Sequence, residues 1–167
     1  MTETAPTFTR ERPNPLLKLG LKLPSKLYWG PLATFMSSRC VMLLTTTGRK
    51  SGLPRTGAIS FHPMEDGYFG LSGFGVESQW YQNVLANPKV TLQIGKETIE
   101  ANATVVEDPE RRRELIMHIK ERSAGCGPPA FIRPVLSGLR LFDYDGDVQM
   151  AVDNAETFPV VEFRPEG

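Results

Sequence analysis

Histidine and cysteine are scarce in this chain, with two of each in 167 residues: His62 and His118, Cys40 and Cys126. The cysteines stand alone, without CxxC spacing and with no histidine near them in sequence. The spacing therefore suggests neither a metal site nor a disulfide framework, and it reads both as buried thiols. Net charge is missing as well, since 19 basic residues oppose 19 acidic ones. With no global field to draw the protein onto nucleic acid, any anion site has to be local. No apolar run reaches the about 20 residues that cross a bilayer, and the opening MTETAPTFTRER lacks the apolar core of a secretory leader. The expectation is a cytoplasmic protein.

What is present falls into an ordered pattern. Residues 1–13 are rich in Thr, Pro and charge and read as a disordered tail. Residues 14–37 read as a helical arm. Asn14 caps a helix with Pro15 at its first position and Leu16, Leu17, Leu19 and Leu23 against Lys18 and Lys22; Pro24 stops it. Ser25 opens a second short helix through Trp29, which Gly30-Pro31 punctuates. The arm packs on the body or a partner subunit in one reading, and in the other touches a membrane surface.

Residues 38–167 carry the body. Strands are expected over Cys40 to Thr46, around Ile59 and Phe61, and from Tyr68 to Leu71. A helix follows over Glu77 to Ala86, with Trp80 and Val84, Tyr81 and Leu85 as i,i+4 pairs. Val90, Leu92 and Ile94 alternate, Gly95-Lys96 turns, and Ile99, Ala101, Ala103 and Val105 alternate back as a hairpin. Asp108-Pro109 caps a helix carrying Leu115, Ile116 and Ile119 that Gly125 stops. After a Pro- and Gly-rich crossing from Gly127 to Gly138, strands are expected at Leu141-Phe142, at Val148 to Val152 beyond an Asp145-Gly146 turn, and near Val160 to Phe163. Tight turns between strands imply a mostly antiparallel sheet, and this many strands in so short a chain favours a small α+β barrel with helices plugging or flanking it.

The densest chemistry lies in LLTTTGRKSGLPRTG, Leu43 to Gly57. Gly48 and Gly52 let the backbone turn tightly, and Arg49, Lys50 and Arg55 can converge on one phosphate or carboxylate. A solvated hairpin tip explains the same residues equally well. It is not a Walker loop, because the spacing around Lys50 is wrong. A second turn, LSGFGVESQWYQN from Leu71, runs a strand through Gly73 and Gly75 into a helix N-terminus, with Phe74 between the glycines placed to face a planar ligand. Asp143, Asp145 and Asp147 lack the glycine position of a calcium loop and read as a hairpin turn. Arg111, Arg112 and Arg113 read as a solvated helix face, and His118 as a surface or half-buried residue.

On these residues, LLTTTGRKSGLPR followed by WYQNVLANPKVTLQI, the chain resembles the deazaflavin-dependent nitroreductases. Members of that family use 8-hydroxy-5-deazaflavin (coenzyme F-420) within a split β-barrel of the FMN-binding, flavin-reductase-like kind. The resemblance spans Leu43 to Val106 and, more loosely, the final FPVVEFRP. It implies that Arg49, Lys50 and Arg55 hold the coenzyme's phosphate and acidic tail, and that Thr56, Ala58, Ile59 and Ser60 line its ring. Ser72, Gly73, Phe74 and Gly75 would meet the ring or phosphate side, and Trp80 and Asn83 would close the pocket. The reaction implied is hydride transfer to a small acceptor, a quinone, nitro compound or activated double bond, with protonation by water, His62 or a hydroxyl of Ser60, Tyr68 or Ser72. Split barrels of this kind often dimerise, so a homodimer is implied too. The chain departs from its relatives at Ala58-Ile59-Ser60, in the Phe74 loop, and in a longer stretch over 137–158. The rivals are an FMN-dependent reductase of the same fold and a barrel that only sequesters a cofactor or lipid-like ligand.

Overall fold

Strands with apolar residues at every second position have one face to bury, and the fold is arranged around that demand. The computed structural model describes residues 5–11, 15, 22, 25–139 and 143–167. Its strands are β1 (Val41–Thr47), β2 (Pro54–Ser60), β3 (His62–Met64), β4 (Gly67–Leu71), β5 (Lys89–Ile94), β6 (Glu97–Val105) and β7 (Val160–Pro165). They form one sheet in the order β2-β1-β5-β6-β7-β4-β3, antiparallel at every pairing. The two ends of that order, β2 and β3, are separated in the chain by Phe61 alone. The sheet must therefore curl back on itself into a barrel, and Pro63 in β3 lies on an edge, where its missing N–H costs no ladder bond.

The helices are α1 (Gly30–Ser38), α2 (Gln79–Ala86), α3 (Pro109–Arg122), α4 (Arg133–Gly138) and α5 (Tyr144–Asp153), with a 3-10 turn at Ser123–Gly125. On β1, Met42 and Leu44 point into the barrel, where Tyr81 and Val84 of α2 meet Leu92, Ala101, Val161 and Phe163. Leu43, on the other face, packs with Tyr28 and Ala33. That alternation places α2 as a plug and α1 as a flank. A second core forms outside the barrel, where Leu115, Ile116 and Ile119 of α3 and Ala151 of α5 pack on Phe69 and Val160.

Expectation and structure agree on the β5–β6 hairpin, on α2 and on α3, whose Asp108 cap accepts the Glu110 N–H at 3.0 Å. They differ at five places, the last of them the strap at residues 5–11. Residues 25–27 are helical and stop ahead of Gly30-Pro31, but that pair also starts a further helix, α1, because proline is at home in a first turn whose N–H groups have no partner. The strand expected at Val148 to Val152 is helix α5: the Asp143 carboxylate accepts the Gly146 N–H at 3.1 Å, so the acidic turn is a helix cap. Arg112 is buried among backbone carbonyls, with Nη1 donating to Val106 O at 2.7 Å and Glu107 O at 2.8 Å. Cys40 and Cys126, read as thiols, are joined by a disulfide across 86 residues. Leu16, Leu17, Leu19 and Leu23 of the arm and Leu141-Phe142 lie outside the described residues.

Residues 5–11, assigned by composition to a disordered tail, run as a strap across the β4–α2 turn. Thr9 bridges Gly75, the N–H groups of Thr7 and Phe8 donate to Thr157 O at 3.0 Å, and the Phe8 ring stacks on Phe158 at 4.5 Å. Gly75, at φ +79°, has to be glycine here, because a Cβ would run into the Phe8 carbonyl.

Candidate active site

Two cavities flank Trp80, which lines both. The first is a groove of about 570 Å³ beneath the β1–β2 turn, lined by Lys22, Arg49, Lys50 and Arg55, the hydroxyls of Thr46, Ser51, Thr56 and Ser78, and the amides of Gln79 and Asn83. Among the described residues, no carboxylate belongs to that lining.

The turn is held from two sides. Gly48 N donates to Leu53 O and Gly52 N to Gly48 O, both at 2.8 Å, and Gly52 supplies the positive φ of +68° that closes it. Arg49 is tied to the plug helix: its backbone N–H and Nη1 both donate to Asn83 Oδ1, at 3.2 and 3.1 Å, and its guanidinium reaches Gln79 Oε1 at 3.2 Å. Buried Asn83 completes the link by donating to Thr46 Oγ1 at 3.1 Å. Lys50 and Arg55 stay exposed beside it. The geometry is thus one oriented fork and two reaching cations beside hydroxyls, which suits an anion of several charges.

The second cavity, about 470 Å³, is mostly apolar. Ala58, Ile59, Ser60, Leu71 and Phe74 form its barrel side, and Tyr144, Val148, Met150 and Phe158 its far wall. Arg10 of the strap sits at its rim, paired with Asp147 at 2.9 Å and lying 5.5 Å from the centroid of the Phe74 ring. Burial pushes the Asp147 carboxyl above its ordinary range, against the opposing pull of Arg10.

The residues expected at the site divide accordingly. Arg49, Lys50, Arg55, Thr56 and Asn83 gather in the groove, Ala58, Ile59, Ser60, Gly73 and Phe74 in the chamber, and Trp80 between them. Ser72 and Gly75 are buried: the Ser72 hydroxyl donates to Gly75 O at 2.7 Å and so pins the turn. His62 lines neither cavity. Its burial, with His118 and Arg122 close by, holds the imidazole at about 4, so the ring carries no proton to give near neutral pH. Sequence reasoning missed Arg10, Tyr144 and Asp147. A signal for Tyr144 and Asp147 existed in the Asp143 cap, which marks a helix; none existed for Arg10.

The curled sheet with its plug helix defines a split barrel. An F420-H2-dependent reductase (FDR-A) is similar in fold, at TM-score 0.51 and 23% identity over 75% of this chain and 95% of its own. The heme storage protein HutZ from Vibrio cholerae is equally similar, at TM-score 0.52 and 22% identity over 80% of this chain and 86% of its own. Identities this low speak for the fold alone. The family described as F420H(2)-dependent quinone reductase matches residues 28–127, more than half of the chain, and the chain belongs to that family. The F420H(2)-dependent quinone reductase of Mycobacterium tuberculosis H37Rv is 32% identical over 77 residues, 43% of this chain and 52% of that protein. The match therefore spans about half the length of that relative. The family match covers the groove residues from Thr46 to Asn83, but Arg10 and the far wall from Ser137 to Phe158 lie outside it.

Proposed function

We propose that the chain is an oxidoreductase that holds reduced coenzyme F-420 in the cationic groove and presents it to a small quinone-class acceptor in the apolar chamber. The observation that carries this reading is the groove's charge: four cations and no carboxylate among its described residues, in a protein whose charges cancel overall. A ligand with a phosphate and an acidic tail is the complement of such a surface, and the family membership points to the same coenzyme.

When bound, the coenzyme supplies a hydride from C5 of its ring. The chain's own residues do the rest. Arg49, locked by Asn83 and Gln79, orients the anionic end, and Lys50 and Arg55 add charge at the outer rim. Ala58 and Ile59, half-buried on β2 where it lines the chamber, offer apolar contacts to a flat ring that reaches in from the groove. Arg10, held by Asp147, stands at the chamber rim where an acceptor would enter, and Phe158, stacked on Phe8, adds apolar wall. Of the hydroxyls expected to return a proton, Ser60, Tyr68 and Ser72, Ser60 alone lines the chamber, and it takes that role in this reading. Nitro compounds and activated double bonds are acceptors of the same electronic kind. A homodimer belongs to this reading, supported by the exposed Trp29 and Phe35 at 66% and 52%, as does a cytoplasmic location.

A titration following tryptophan fluorescence, comparing coenzyme F-420 with FMN, tests the cofactor. Loss of reduced-coenzyme absorbance with a short-chain naphthoquinone tests the reaction. Tighter FMN binding would replace this reading with the flavin enzyme, and tight F-420 binding without turnover would replace it with a carrier.

A further inference from the structure

Away from both cavities, three side chains of metal-ligating type converge where β1 and β3 begin. One ligand atom each from Cys40, Cys126 and His62 lies within 4.8 Å of the other two. Cys126 and His62 are 4% and 3% exposed. A disulfide needs no histidine beside it, yet His62 is buried against this one. We propose that this cluster is a metal site: with the cysteines reduced, the Cys40 and Cys126 thiolates and a ring nitrogen of His62 bind one zinc-class divalent cation, water completing the tetrahedron.

The three positions are held together without help from the sulfur–sulfur bond. Phe61 N donates to Cys40 O at 2.9 Å, which fixes the neighbouring His62 against the start of β1. Gly127 N donates to Arg39 O at 3.0 Å, and Arg39 Nε returns a bond to Gly127 O at 2.8 Å. Arg39 Nη2 reaches Pro128 O at 3.2 Å and Arg133 Nε the same carbonyl at 2.8 Å, so the segment carrying Cys126 is clamped on both sides. Cys40 itself is turned inward by a left-handed φ of +63°, the one positive φ outside glycine among the described residues. A site preorganised in this way keeps its ligands in place when the disulfide opens. Two thiolates and an imidazole are the borderline-soft set that selects zinc over calcium or magnesium. Two thiolates also neutralise the cation's charge, which matters with Arg122 nearby.

The chemistry balances with a dithiol as reductant. The dithiol gives two electrons and two protons to the disulfide and leaves as its own cyclic disulfide; the two thiols then release two protons as the cation binds. Disulfide and metal are therefore alternative occupants of one site.

The full chain, reduced with excess dithiothreitol under argon and freed of it, is titrated with cobalt(II). The expected result is one cobalt per chain, with thiolate-to-cobalt charge transfer and the intense visible bands of tetrahedral geometry, displaced by one equivalent of zinc. His62→Ala should weaken cobalt binding by roughly tenfold or more, while Ellman titration of the same variant still finds two thiols. Cys126→Ser, which leaves one thiolate, should lose half or more of the charge-transfer intensity. The proposal is overturned if the folded parent exposes two thiols yet shows no thiolate-to-cobalt band, or if dithiothreitol releases no thiols from it. Because the parent's own spectrum decides between site and no site, a variant that fails to fold changes neither outcome.

Discussion

The groove and the chamber share Trp80 and little else. The groove is made of Thr46 to Gly57 and Ser78 to Asn83, together with Lys22. Its core is nearly contiguous, cationic, and inside the segment that defines the family. The chamber draws on residues from Arg10 to Phe158, is mostly apolar, and takes its rim and far wall from outside that segment. The contrast gives the proposed reading a division of labour: a coenzyme surface written locally in the sequence, and an acceptor surface assembled by the fold from distant pieces. If that division holds, substitutions on one side should leave the other side's binding unchanged.

The largest expected effect is in the groove. Replacing Lys50 and Arg55 together by alanine should weaken coenzyme binding roughly 30-fold, at about 1 kcal/mol for each exposed cation–anion contact. It should also flatten the dependence of affinity on salt. Titrations at two ionic strengths measure both, and an unchanged dissociation constant would strip the groove of its role. Acceptor KM at saturating coenzyme should not move.

Next comes the strut that orients Arg49. Asn83→Ala leaves the Arg49 backbone N–H and the buried Thr46 hydroxyl short of a partner. The expected cost is about 1–3 kcal/mol in urea unfolding, and the loosened turn should lower coenzyme affinity by about tenfold, near 1.4 kcal/mol. Stability lost with full affinity retained would mean that the turn positions itself unaided.

How much of this was legible follows from where each signal resides. The β5–β6 hairpin was, because alternation and a Gly-Lys turn are local. The basic turn was also, since its glycines and cations lie within eight residues of one another. Arg112 was not: it reads as one of three solvated arginines until the carbonyls of Val106, Glu107 and Glu156 close around it, the last of them 44 residues away. Helix α5 was misread because Val148 and Val152 favour strands in isolation. The Asp143 cap and burial of Ala151 against α3 decide otherwise. The disulfide and the Arg10–Asp147 pair depend on separations of 86 and 137 residues, which no spacing rule reaches.

A smaller effect is expected at the chamber rim. Arg10→Ala should raise acceptor KM about three- to fivefold, the loss of an ion pair and a ring contact worth roughly 0.5–1 kcal/mol, with coenzyme affinity unchanged. It should also alter the response to pH. The Asp147 carboxyl lies above its ordinary range in the folded chain, so the stability tied to it is present below that ordinary range and lost as pH rises through the folded value. Arg10 is what opposes this rise. The variant should therefore lose more stability relative to the parent at pH 7 than at pH 4. Equal losses at both values, by urea titration, would show that the pair is too well solvated to matter.

The smallest effect is the most discriminating. Trp80 lines both cavities and lies against Phe163 at 6.4 Å between centroids, on the wall where the two meet. Trp80→Phe keeps an aromatic face but shortens the partition, so coenzyme affinity and acceptor KM should both worsen by about twofold, a few tenths of a kcal/mol. Every other substitution above should move one quantity and spare the other. If Trp80→Phe moves only coenzyme affinity, the indole belongs to the groove and the chamber begins farther along the barrel. If it moves only KM, the ring of the coenzyme does not reach Trp80. Equal movement is the signature of a shared wall, and it is what a hydride donor and its acceptor in contact across one boundary require.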